Sequence, residues 1–154
     1  MFSKVAAHRR GFTLIEMLIV IVVIAILALI VISRLLSASR QGQEAALRAD
    51  LTHLRTAIAA FEADCGTYPA SLDDVVASQP GPATGVGGEP IRTGNYKGPY
   101  LTPSGGIDGS GIPQNPFAGA TATVAQNWSY TATSGLVNSA ITGTTLDGVA
   151  YTNL

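Results

Sequence analysis

Hydrophobic and polar residues follow three different rhythms along this chain. Residues 12–32 are apolar almost without interruption, and from position 17 to position 32 no side chain is charged. About 20 apolar residues in helical form are enough to cross a bilayer core of ~30 Å. Farther on, Leu47, Leu51, Leu54, Ile58 and Phe61 recur at alternating steps of four and three, the spacing of one apolar stripe on an amphipathic helix. Near the end the period falls to two. Trp128-Ser129-Tyr130-Thr131-Ala132-Thr133 alternates large apolar with small polar residues, Ser134-Gly135 offers a turn, and Leu136-Val137-Asn138-Ser139-Ala140-Ile141 follows. Asp147-Gly148 is a second turn signal, leading into Val149-Ala150-Tyr151.

The first two rhythms belong to one element. Residues 12–64 contain no proline and a single glycine, Gly42. An unbroken helix at 1.5 Å per residue would run ~80 Å over that span. Gly42 is its weakest point, because glycine costs about 1 kcal/mol against alanine in a helix interior. Glu44 and Arg48 read as an i,i+4 pair on the polar side. Cys65-Gly66 should stop the helix, with Gly66 as a left-handed cap and Pro69 beyond it. The 47–61 stripe would suit a coiled-coil seam or a sheet laid on the helix, and the glycine-rich segment that follows favours the sheet.

The pattern therefore predicts an α+β fold. A long N-terminal helix, transmembrane in its first half and amphipathic in its second, packs on a small C-terminal antiparallel β-sheet. The segments are 1–11, 12–33, 34–64 and a globular head at 65–154. All eight prolines lie between positions 69 and 116, so the first part of the head should be loop with short elements. Residues 71–76 read as one short helix, with Ser71 as N-cap and Asp74 completing a capping-box pattern. Residues 79–98 read as an irregular connection, and their glycines lack the Gly-Lys-Ser/Thr ending of a phosphate loop.

Composition narrows the function. The 154 residues make room for one modest domain, and the formal net charge is −1 with no basic block, so no nucleic-acid partner is indicated. There is no Ser/His/Asp set and no metal-ligand cluster, which leaves a membrane-anchored enzyme without chemistry. The lone Cys65 cannot form an intrachain disulfide, and at a helix C-terminus its thiolate is not favoured. A Cys65–His53 nucleophile pair is correspondingly disfavoured.

Glu16 remains to be explained. Lys4, Arg9 and Arg10 precede the apolar run, a charge bias that keeps the N-terminus cytoplasmic. A cleavable signal peptide has an apolar region of ~7–15 residues and no carboxylate, and a plain signal anchor gives no reason for the charge. A charge deep in such a helix costs roughly 2.5–3.5 kcal/mol on insertion scales.

Gly11-Phe12-Thr13-Leu14-Ile15-Glu16, with its basic leader and apolar sequel, resembles the processing site of the type IV pilin superfamily, which includes the pseudopilins of type II secretion. The resemblance implies cleavage by a prepilin peptidase after Gly11, N-methylation of Phe12, and a role for Glu16 in assembly of a helical homo-oligomeric filament. It implies as partners the membrane, an inner-membrane assembly platform and other pilins or pseudopilins. The location implied is the bacterial inner membrane, with the head periplasmic or, in a filament, extracellular. Gly66-Thr67-Tyr68-Pro69, Lys97-Gly98-Pro99-Tyr100-Leu101 and Ile112-Pro113-Gln114-Asn115-Pro116-Phe117 are similar to the major pseudopilin of type II secretion. A surface type IV pilin is the alternative within the superfamily. The pseudopilin resemblance also implies calcium in an acidic C-terminal loop, yet Asp147 is the only acidic side chain after Asp108. Calcium needs several oxygen ligands, so no cofactor is expected and Asp108-Gly109-Ser110 reads as a turn.

Overall fold

The computed structural model describes residues 12–78, 93–102 and 106–154. The chain divides into two compact units, Met1–Arg40 and Gln41–Leu154. One helix, α1 (Leu14–Cys65), contributes to both and continues through Gly42 without a break. Its proline-free sequence lets every interior amide find its i−4 carbonyl.

In the first unit the large apolar side chains of α1 are exposed on all sides, from Leu14 at 84% to Leu36 at 68%. A helix apolar all round has no preferred face to bury against a water-soluble core. This one is long and apolar enough to cross a membrane, with a mean hydropathy of 3.4 in its most apolar window.

The second unit has a conventional core. Leu47, Leu51, Leu54, Ile58 and Phe61 are all buried, as are Ala57 and Cys65 on the same face of α1. Leu72, Val75, Ile107, Ile112, Trp128, Val137 and Tyr151 complete the cluster from the head. The helix ends where the glycine allows it: Gly66 has φ 79° and its N–H donates to the Glu62 carbonyl at 2.7 Å. The residues after it form a 3-10 turn, Leu72–Val75, started by a bond from the Ser71 N–H to Asp74 Oδ2 at 2.9 Å.

The sheet is smaller than the sequence predicts. Strand β1 (Trp128–Thr131) pairs antiparallel with β2 (Leu136–Ser139), with Trp128 opposite Ser139 and Thr131 opposite Leu136. Both strands stop two residues before the alternating pattern does. The connection is a four-residue turn, 132–135, in which Gly135 takes φ 65° and a Cβ would collide with the Tyr68 ring. A single helical turn, α2 (Val124–Asn127), leads into β1. The Asp147-Gly148 turn forms, but the expected third strand reduces to one antiparallel bridge, Thr144 to Ala150. Tyr151–Asn153 then coils into a 3-10 turn. Residues 79–92 of the expected irregular connection lie outside the described residues; its end includes a 3-10 turn, Thr93–Asn95. Another such turn, Ile107–Gly109, stands where the Asp108-Gly109-Ser110 turn is expected.

Candidate functional site: the helix start and the helix-borne head

Gly11 lies outside the described residues. Phe12 is exposed, and Glu16 sits in the first turn of α1. The Thr13 N–H and hydroxyl both donate to Glu16 Oε2 at 3.5 Å, and the Glu16 N–H donates to Thr13 Oγ1 at 3.3 Å. This is the reciprocal geometry of a capping box, and a carboxylate there also meets the positive end of the helix dipole. Sequence reasoning overlooked this local role, although Thr13-x-x-Glu16 fits the Ser/Thr-x-x-Glu pattern. Bonds of 3.5 Å are at the long limit, and a carboxylate has about four acceptor sites. Glu16 therefore retains capacity for a cationic partner.

On the head-bearing part of α1, the two borders of the apolar stripe carry polar anchors. On one border Asp64 accepts the Tyr100 hydroxyl at 2.8 Å, and the Lys97 ammonium lies 3.3 Å from its other oxygen. Phe61, Tyr96 and Tyr100 meet edge to face, with ring centroids 5.3–5.9 Å apart. Burial, with Asp64 adding to it, pushes the Tyr100 hydroxyl up to about 12. Burial likewise raises Tyr96 and the Cys65 thiol, the latter helped by the neighbouring Asp64 charge. A thiol held neutral in this way is a packing group, not a nucleophile.

On the other border the structure corrects the sequence. Glu44 is not on a solvated face: only 6% exposed, it accepts the Leu146 N–H at 2.8 Å. Arg48 reaches Asp147, 3.6 Å away. About two turns farther on, Arg55 donates from Nη2 to the carbonyls of Leu154 at 2.7 Å and Val137 at 3.1 Å, and to Asn138 Oδ1 at 3.1 Å. Each partner lies more than 80 positions away in sequence, so no local pattern announces these contacts.

Beneath the sheet, Asn115 is 1% exposed. Its Nδ2 donates to Ser139 Oγ at 2.9 Å, its Oδ1 accepts the Phe117 N–H at 3.0 Å, and its own N–H donates to Asn127 Oδ1 at 2.8 Å. The Trp128 indole donates to the Pro113 carbonyl at 2.7 Å. Asn115 and Asn127 thus tie the proline-containing loop to β1 and β2. Among the described residues there is no group of three or more His, Cys, Asp or Glu side chains able to hold a metal ion.

Residues 6–32 match the family model of the prokaryotic N-terminal methylation motif. The chain carries that motif at the start of its apolar helix. The pilin-like α+β fold, whose polar clusters tie its own segments together, agrees with a structural subunit. The pilin-like chain is also 33% identical over 101 residues to the type II secretion system core protein G of Xanthomonas campestris pv. campestris. That alignment covers 66% of this chain and 63% of the relative, so the chain spans somewhat less than two thirds of the relative's length. No solved structure matches the chain.

Proposed function

We propose that the chain is the major pseudopilin of a type II secretion system, cleaved after Gly11 and N-methylated at Phe12. The observation that carries this reading is a helix apolar on every side across residues 14–32 that holds one carboxylate, Glu16, in its first turn beside the methylation motif. Similarity to a type II secretion core protein supports the choice of machine.

Cleavage gives Glu16 its chemistry. It creates a cationic amine on Phe12, and α1 then begins with both charges of a pair within one turn. In the membrane each charge is costly. In a filament whose helices pack side by side with an axial offset, the amine of an incoming subunit meets the Glu16 carboxylate of one already placed. Two buried charges become partners, and a slipped subunit would leave both unpaired. The pair sets register as well as affinity. Until then the Thr13 cap holds the carboxylate at the helix start.

The test is mass spectrometry of the chain recovered from membranes, with and without prepilin peptidase. The expected product begins at methylated Phe12. A chain that keeps residues 1–11 in the presence of the peptidase would overturn the reading. Abundant long filaments on sheared cells at ordinary expression would assign it to a surface pilus instead.

A further inference from the structure

We propose that Glu44 holds the C-terminal 144–150 loop by its backbone, and that this carboxylate-to-amide contact stands in place of a bound cation. A cation-binding loop turns its oxygens toward one point. This loop presents an N–H there instead: Leu146 donates to Glu44 Oε1 at 2.8 Å, and the carboxylate is buried. Three of the loop's oxygens face its own amides. Thr145 Oγ1 accepts the Val149 N–H at 3.1 Å, the Thr145 carbonyl accepts the Gly148 N–H at 3.0 Å, and the Val149 carbonyl accepts the Thr145 N–H at 2.8 Å.

The only carboxylate of the loop, Asp147, is 78% exposed and lies 3.6 Å from the Arg48 guanidinium, a positive charge that already pairs with it. Calcium takes 6–8 oxygen ligands, usually with several carboxylates. These donors do not fit it. The two helix contacts differ in weight. Exposed ion pairs such as Arg48–Asp147 contribute little, whereas a buried charge-assisted hydrogen bond is among the stronger ones. Glu44 is the positioning residue and Arg48 its auxiliary. The pseudopilin reading supplies only the expectation of a metal; the contact itself is independent of it.

The test uses the full-length protein in detergent micelles, with amide exchange and thermal unfolding followed in EDTA and in excess calcium chloride. The wild-type Tm is expected to agree between the two within about 1 °C, because a ligand that does not bind the native state cannot raise it. In Glu44→Met the Leu146 amide is expected to exchange about tenfold faster, the loss of one charge-assisted hydrogen bond, and calcium should not restore it. Glu44→Gln keeps an acceptor oxygen and should keep Leu146 protected. A calcium-dependent rise in the wild-type Tm, or unchanged Leu146 protection in a folded Glu44→Met, would overturn the proposal. Should Glu44→Met not fold, the wild-type comparison and Glu44→Gln decide. None of these readouts requires a filament, so their failure is distinct from failure of the secretion reading.

Discussion

The Tyr100 hydroxyl donates to the Asp64 carboxylate at 2.8 Å, joining the last turn of α1 to a loop 36 residues farther along the chain. The same ring packs edge to face on Phe61 and Tyr96. Tyr100→Phe keeps the packing and removes only the hydrogen bond. A bond to a charged acceptor of this kind contributes about 1.5 kcal/mol, so the urea midpoint should fall by that equivalent with an unchanged slope.

The aromatic corner also makes the head sensitive to alkali. Tyr100 is raised from 10.0 to about 12, and Tyr96, Tyr130 and Cys65 shift in the same direction, each chiefly through burial. These groups are neutral when protonated, and the folded state holds their protons more tightly than the unfolded chain does. Their contribution is therefore complete below the unfolded-state values and is lost as pH climbs, beginning near 9.0 for the thiol and 10.0 for the phenols. Unfolding midpoints measured from pH 8 to 12 should fall steadily above about pH 9. Tyr100→Phe should make that fall shallower.

Asn115 separates hydrogen bonding from size. Its amide donates to Ser139 Oγ and to the Asn127 carbonyl, the latter at 3.3 Å. Asn115→Asp has nearly the same shape but cannot donate when ionised, and the charge would be buried. It should cost about 2 kcal/mol or more at pH 7. Protonation restores one donor, so the penalty should shrink as the pH falls through the carboxylate range. Denaturant titrations at pH 4 and pH 7 check both parts.

Tyr151 offers the opposite case. Its ring stacks on Phe117 at 4.4 Å and is buried, yet its hydroxyl has no hydrogen-bond partner among the described residues. Tyr151→Phe relieves an unsatisfied polar atom and should leave stability within about 0.5 kcal/mol of wild type, or raise it. Equilibrium unfolding of the variant is the measurement.

These residues also mark where sequence reading succeeds. The stripe from Leu47 to Phe61 was legible because burial on a helix repeats with the helix's own period, whatever lies opposite. Gly66 was legible because few other residues accept φ 79° at a helix end. The strand pair was legible in kind but not in length, since alternation continues past Thr131 while the four-residue turn has already begun. The third strand failed for a similar reason: Gly148 at φ 82° and the loop's internal bonds leave room for only one bridge.

At the site, the methylation motif is local and could be read directly, whereas the Thr13 cap on Glu16 was present in the same hexapeptide and overlooked. Glu44 illustrates what sequence cannot supply. It borders the apolar stripe, and whether a border residue meets solvent or protein depends on a segment 102 residues away. Asn115 and Asn127 are buried for the same kind of reason, as partners of each other and not of any local pattern.

The central claim is that Glu16 serves assembly through the amine created at Phe12. The most direct measurement replaces Glu16 with valine and follows two quantities in the same cells: the processed chain in the membrane fraction, and filaments released by shearing after overexpression of the assembly machinery. Processed Glu16→Val should remain in the membrane at wild-type abundance while filaments are lost. Filaments of normal number and length from that variant would contradict the account.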